Sequence, residues 1–267
     1  MRPLLVALHG CTQNANDFAL GTRFDEVAER FGAYVLYPQQ SSRRNPRRCW
    51  NWFEAENQLR EGPEPAAILS LIEEVAATHP IDRSRICVAG MSAGGAMAAI
   101  LGEQAPDIFA GVGIVAGVPL HAVANAHDGF TQMHSPAAAT IDSPLIFKLL
   151  FAPGRLQRTR IQIWTGDRDG TVHPGNAVAL SEQFRVLLRL ARPPLRTKDG
   201  RDIVTRWFDE KGNVRIELHV VEGLGHRWSG GSMRGSHTQS SGPDISATML
   251  RFLFSAGYAE NSSEFGT

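Results

Sequence analysis

Two rhythms alternate along the chain: short runs apolar at every position, and longer segments with apolar residues at helical spacing. Residues 3–9, Pro3-Leu4-Leu5-Val6-Ala7-Leu8-His9, form the first run. A strand covered on both faces has this pattern. Helical spacing follows over 24–31, and 33–37 predicts the next strand, stopped by Pro38. Pro65 opens a helix through Thr78 with Ile68, Leu69, Leu71, Ile72 and Val75 on one face, and Pro80 ends it. Strands are predicted at 86–89, 111–116 and 161–164, and helices at 93–104, about 176–190 and 244–255. Residues 203–208 and 214–221 read as a hairpin or two neighbouring strands, while 192–202 reads as a polar connection. Residues 118–158 break the rhythm, and an insertion of that length is expected to be a lid or binding loop. Strands separated by helices predict an α/β fold, a mainly parallel sheet with helices on both faces.

Composition adds mostly exclusions. With 267 residues, 43% apolar and 20% charged, the chain suits one sizeable core. The expected domain spans 1–258, with 259–267 an appended or disordered tail. Lys plus Arg equals Asp plus Glu at 27 each, which argues against nucleic acid or a membrane surface held by bulk charge. The local run Arg43, Arg44, Arg47 and Arg48 reads as a solvated loop. No apolar run reaches the ~18 residues of a membrane span. The two residues before the first strand are too few for a signal peptide, so the chain is expected to be a mature form or an excised domain of an exported protein. A monomer is the default expectation. Of three cysteines, Cys87 lies in a predicted buried strand and behaves as a small hydrophobe. Cys11 and Cys49 lie in two loops and could pair. CxxC and Cys/His metal spacings are absent.

The chemistry concentrates around Gly90-Met91-Ser92-Ala93-Gly94. This G-x-S-x-G lies between a predicted strand and a predicted helix, the context of a nucleophile elbow, and the fold expected is that of the α/β-hydrolases. Serine needs a base to take its proton. In this fold the chain order is Ser, acid, His. His226, in the loop after the 214–221 strand, is the candidate base. His219 falls within the strand, His237 is a weaker rival, and His121, His127, His134 and His173 lack a comparable setting. Asp169 and Asp167 both follow the 161–164 strand. Asp169 is the candidate acid, being carried further beyond the strand tip, while Asp167 suits a backbone bond in the turn. The oxyanion donors expected are the N–H groups of Ala93, after the nucleophile, and Cys11, in the loop after the first strand. His9 reads as a support of that loop.

These segments together resemble the polyhydroxybutyrate depolymerase-like esterases, a group that includes feruloyl and acetylxylan esterases. The resemblance rests on Leu8-His9-Gly10-Cys11-Thr12-Gln13, Cys49-Trp50-Asn51-Trp52-Phe53, the Ser92 elbow, residues 166–172, and Gly225-His226-Arg227-Trp228-Ser229-Gly230-Gly231. It implies a Ser92–Asp169–His226 triad that hydrolyses carboxylic esters without metal or cofactor. Ser229 departs from the family's common Pro, which leaves that loop less rigid. Trp50, Trp52 and Trp228 are candidate substrate contacts, aromatic faces for an aromatic acyl group or an apolar polymer. A Cys11–Cys49 bond would tie the oxyanion loop to the tryptophan loop and suit an exported protein. The partner expected is an ester, small, polysaccharide-linked or polyester. The rival readings are a serine peptidase or amidase, and a catalytically silent polymer-binding module.

Overall fold

The computed structural model describes residues 1–135, 156 and 158–254. Eight strands form one sheet in the order β2-β1-β3-β4-β5-β8-β7-β6. They are β1 (Arg2–Leu8), β2 (Tyr34–Leu36), β3 (Ile81–Met91), β4 (Phe109–Val115), β5 (Arg160–Gly166), β6 (Leu195–Asp199), β7 (Asp202–Phe208) and β8 (Val214–Val221). The first five and β8 run parallel, and β7 and β6 continue the sheet antiparallel. The helices are α1 (Ala15–Thr22), α2 (Phe24–Arg30), α3 (Pro63–Thr78), α4 (Ala93–Gln104), α5 (Ala126–His134), α6 (Gly175–Leu187) and α7 (Ile245–Phe254). A short parallel pair, β9 (Trp228–Ser229) and β10 (Thr238–Gln239), lies outside the main sheet.

Alternation along each strand divides the core into two layers. On β1, Leu4, Val6 and Leu8 pack with Ile68 and Ile72 of α3, Met97 and Leu101 of α4, and Leu180 and Phe184 of α6. Leu5 and Ala7 face the other way, with Phe18 of α1, Phe24 and Val27 of α2, and Met249 and Leu253 of α7. The expected α/β architecture is therefore present, and residues 203–208 and 214–221 are the antiparallel neighbours β7 and β8.

Three readings change. Residues 195–199, read as part of a polar connection, form edge strand β6. Helix α1, which the chain's periodicity did not suggest, is capped by Asn14, whose side chain accepts from Asp17 N–H. The strand expected at 86–89 extends over Ile81–Met91: buried Ile81 pairs with Arg2, and a register shift separates that pair from the regular pairing that begins at Ile86. In the 118–158 insertion, the described part carries α5, and the rest, apart from 156 and 158, lies outside the described residues, as do Ser255 and the tail 259–267.

Candidate active site

Strand β3 ends at Met91 and α4 begins at Ala93, leaving Ser92 alone to make the turn. Its backbone takes φ 57°, ψ −121°, a conformation that costs a non-glycine residue about 1–3 kcal/mol. The surroundings enforce it. Ser92 N–H donates to Val115 O at 2.8 Å, and Ser92 O accepts from Ala96 N–H at 2.9 Å. Small neighbours permit it: a Cβ on Gly94 would overlap the Leu8 carbonyl oxygen, and one on Gly90 would overlap that of Gly94. The turn thus presents Ser92 beyond the carboxyl edge of the sheet, at the amino end of α4.

The loops after β5 and β8 supply the next pair. His226 Nδ1 lies 2.8 Å from Asp169 Oδ2. The Asp169 side chain is 1% exposed and that of His226 13%. The other carboxylate oxygen of Asp169 accepts from Thr171 N–H at 2.9 Å and Val172 N–H at 2.8 Å. Asp169 is therefore fixed by its own turn and leaves one oxygen for the imidazole. Asp167 takes a different task, accepting from Gly223 N–H at 2.5 Å and so joining the two loops.

The loop after β1 is built around Gln13. Its Oε1 accepts from Gly10 N–H at 2.9 Å, and its Nε2 donates to Asp17 Oδ2 and Ser236 O, both at 3.1 Å. His9, fully buried, contacts Gly10 O through Nδ1 at 2.8 Å and accepts from Gln40 N–H through Nε2 at 3.1 Å. Burial lowers its pKa, in keeping with a neutral ring that supports the loop. Among the described residues, the N–H groups of Cys11 and Ala93 have no protein acceptor. Cys11 is bonded to Cys49. That bond joins this loop to the tryptophan loop, whose organiser is the buried Glu64. Glu64 accepts from Gln40 Nε2 and Asn51 Nδ2, each at 2.6 Å, and from Asn51 N–H at 2.7 Å. Burial raises its pKa despite those donors. Nothing in the sequence marked Glu64 beyond its place after Pro63. Gln13 was visible only as part of a motif.

These loops enclose a cavity of about 450 Å³ that Ser92, His226, Cys11 and Thr171 share with Trp52, Phe53, Phe130 and Met133. Of the three tryptophans expected at the substrate, only Trp52 lines it. Trp50 turns inward and donates from Nε1 to His9 O at 3.1 Å. Trp228 is 1% exposed, packs edge-on against Phe18 and Phe24, and donates to Ser246 Oγ at 3.0 Å. The motif brings both close in sequence to the site, but their indole N–H groups need buried acceptors, and these lie in the core. His237 lines the cavity too, its ring 6.3 Å edge-on from that of His226. Burial, then the neighbouring His226 and Arg227, lower its pKa, with Asp17 opposing. It has no carboxylate within ion-pair distance among the described residues. His219 is buried in the sheet between Asp202 and Glu217 and does not reach the cavity. Among the described residues, no cluster of His, Cys, Asp or Glu is arranged to hold a metal ion.

Residues 1–192 match the family described as Esterase PHB depolymerase. Poly(3-hydroxyalkanoate) depolymerase C of Paucimonas lemoignei is 33% identical over 239 residues, which cover 84% of this chain and 54% of that protein. Acetylxylan esterase A of Emericella nidulans is 27% identical over 234 residues, covering 84% and 75%. The chain spans about half the length of the bacterial depolymerases it matches. Among solved structures, an acetyl xylan esterase from Aspergillus awamori superposes with a TM-score of 0.71 over 84% of each chain at 18% identity. The fold is thus that of the α/β-hydrolase esterases.

Proposed function

The chain belongs to the Esterase PHB depolymerase family, and from that premise we propose that it hydrolyses carboxylic esters through an acyl-enzyme on Ser92. The observation that carries the reading is the Asp169–His226 bond of 2.8 Å, opening onto the same cavity as the Ser92 turn. With Nδ1–H given to Asp169, Nε2 of His226 holds a lone pair and serves as base. Ser92 Oγ attacks the ester carbonyl as His226 takes its proton. The oxyanion is held by the Cys11 and Ala93 N–H groups, the latter at the positive end of α4. His226 returns the proton to the leaving alcohol. Water then cleaves the acyl-enzyme by the reverse sequence, with Asp169 steadying the imidazolium throughout.

The cavity suits a short acyl group with apolar bulk, since Trp52, Phe53, Phe130 and Met133 form its walls. Relatives named as poly(3-hydroxyalkanoate) depolymerase, acetylxylan esterase and feruloyl esterase point to hydroxyalkanoate, acetyl and feruloyl esters as the substrate class. Residues 1–258 are read as one catalytic domain. Secretion agrees with the Cys11–Cys49 bond. Among the described residues no helix is long and apolar enough to cross a membrane.

The test is Ser92→Ala on p-nitrophenyl butyrate. Turnover is expected to fall at least about a thousandfold, with the far-ultraviolet circular dichroism unchanged. Activity within tenfold of wild type in the folded variant rules the reading out.

A further inference from the structure

The loop between β2 and the tryptophan motif carries four arginines, Arg43, Arg44, Arg47 and Arg48. Several arginines elsewhere are compensated, among them Arg60 by Asp107, Arg83 by Glu73 and Arg206 by Glu217. Among the described residues, none of the four side chains has an ion-pair or hydrogen-bond partner. A solvated loop would explain exposure, but this loop is not free to wander. Arg47 O accepts from Thr12 N–H at 2.6 Å and Arg48 N–H donates to Asn45 O at 2.8 Å. Asn45 Oδ1 accepts from Arg47 N–H at 3.0 Å, Asn45 Nδ2 donates to Asn51 Oδ1 at 2.8 Å, and the loop ends at the Cys49–Cys11 bond. The backbone that carries the arginines is therefore held in place, and Arg47 lines the same cavity as Ser92.

We propose that Arg47 makes the site selective for esters that carry a free carboxylate, the chain end of a short hydroxy-acid oligoester. The inference rests on the esterase reading above and deepens it. A guanidinium without a partner matches a carboxylate in shape and charge. Beside it, Trp52, Phe53, Met133 and Phe130, the last 64% exposed, offer apolar walls that suit the alkyl carbons of such a unit better than the hydroxyls of a sugar. A substrate held at both features has its terminal ester bond near Ser92 and its charge at the rim. The neighbouring arginines add attraction from solution, which salt weakens.

The experiment compares a 3-hydroxybutyrate dimer bearing its free carboxylate with the same dimer capped as the neutral dimethylamide, and p-nitrophenyl butyrate serves as a separate control. Wild type is expected to favour the carboxylate in kcat/KM by about threefold or more at low salt, and less in 0.5 M salt. Arg47→Gln brings the ratio towards one, and Arg47→Lys keeps most of it. Equal rates on the two dimers, or a preference untouched by Arg47→Gln, overturns the proposal. So does failure to cleave either dimer while p-nitrophenyl butyrate is turned over. A salt-sensitive preference for a uronate-bearing acetylated oligosaccharide, with none between the dimers, assigns the arginines to polysaccharide instead. No turnover of p-nitrophenyl butyrate defeats the esterase reading itself.

Discussion

Two carboxylates two residues apart do different work. Asp169 spends one oxygen on Thr171 and Val172 N–H and gives the other to His226, while Asp167 joins the β5 and β8 loops through Gly223 N–H. Asp169→Asn is expected to lower kcat on p-nitrophenyl butyrate by about four orders of magnitude, since the amide no longer holds the imidazole in the right tautomer. Asp167→Asn should leave kcat within about tenfold and cost about 1 kcal/mol of stability, read by denaturant unfolding. Equal kinetic losses in the two variants would contradict the division of roles. Ser92, His226 and the choice between the aspartates could be reasoned from position after strands. Trp50 and Trp228 could not be placed, because a motif gives nearness in sequence and not the direction of a side chain. Glu64 was invisible for a related reason: an acidic residue at a helix start looks solvated until the loops that bury it are in place.

At the scale of elements, β8 carries a charge cluster inside the sheet. His219 lies 2.8 Å from Asp202 on β7 and 3.3 Å from Glu217, and its ring stacks on Trp164 of β5 at 3.7 Å. Burial pushes the His219 pKa down, but its bonds to Asp202 and Glu217 outweigh that and raise it overall. Burial pushes Glu217 up, yet His219, Gln162 and Arg206 bring it down to about 2. The signs follow. A raised histidine contributes fully below its ordinary 6.5 and loses its contribution as pH rises through the folded value. The depressed Glu217 contributes fully above its ordinary 4.5 and loses its share as pH falls towards about 2. His219→Gln, which leaves Asp202 without its cation and Glu217 with Arg206 alone, is expected to cost about 3 kcal/mol at pH 5.5. The gap to wild type should narrow on the alkaline side, and unfolding curves that show the same gap at pH 9 contradict the account. Strands β1 and β4 and the second half of β3 were legible because burial on both faces makes them apolar at nearly every position. Strand β6 was not: Leu195-Arg196-Thr197-Lys198-Asp199 is exposed throughout and pairs only with β7, as befits an edge kept polar against further pairing.

At the scale of the whole molecule, the site is assembled from segments that leave β1, β2, β3, β4, β5 and β8 at one edge of the sheet, and a single covalent bond crosses between two of them. Cys11 and Cys49 are 38 residues apart. In the chain-entropy account, a loop of that length makes reduction cost about 4 kcal/mol. Reductant should lower the denaturation midpoint and also slow turnover, because Cys11 carries one proposed oxyanion donor. Cys87 is buried, and its thiol is pushed up to about 12 by burial, so it stays inert in the fold. Titration of the denatured chain should therefore find one thiol before reduction and all three after it, and three thiols without reductant contradict the bond. The sequence made the two loops candidates for a bond, but only the folded sheet brings them side by side. The most direct measurement of the central claim is active-site titration of the intact folded protein with a serine-reactive fluorophosphonate, followed by mass analysis of the labelled peptide. The account expects one adduct per chain, on Ser92, with loss of p-nitrophenyl butyrate hydrolysis in step with labelling. Full activity in a protein labelled at Ser92, or activity lost with the label on another residue, contradicts it.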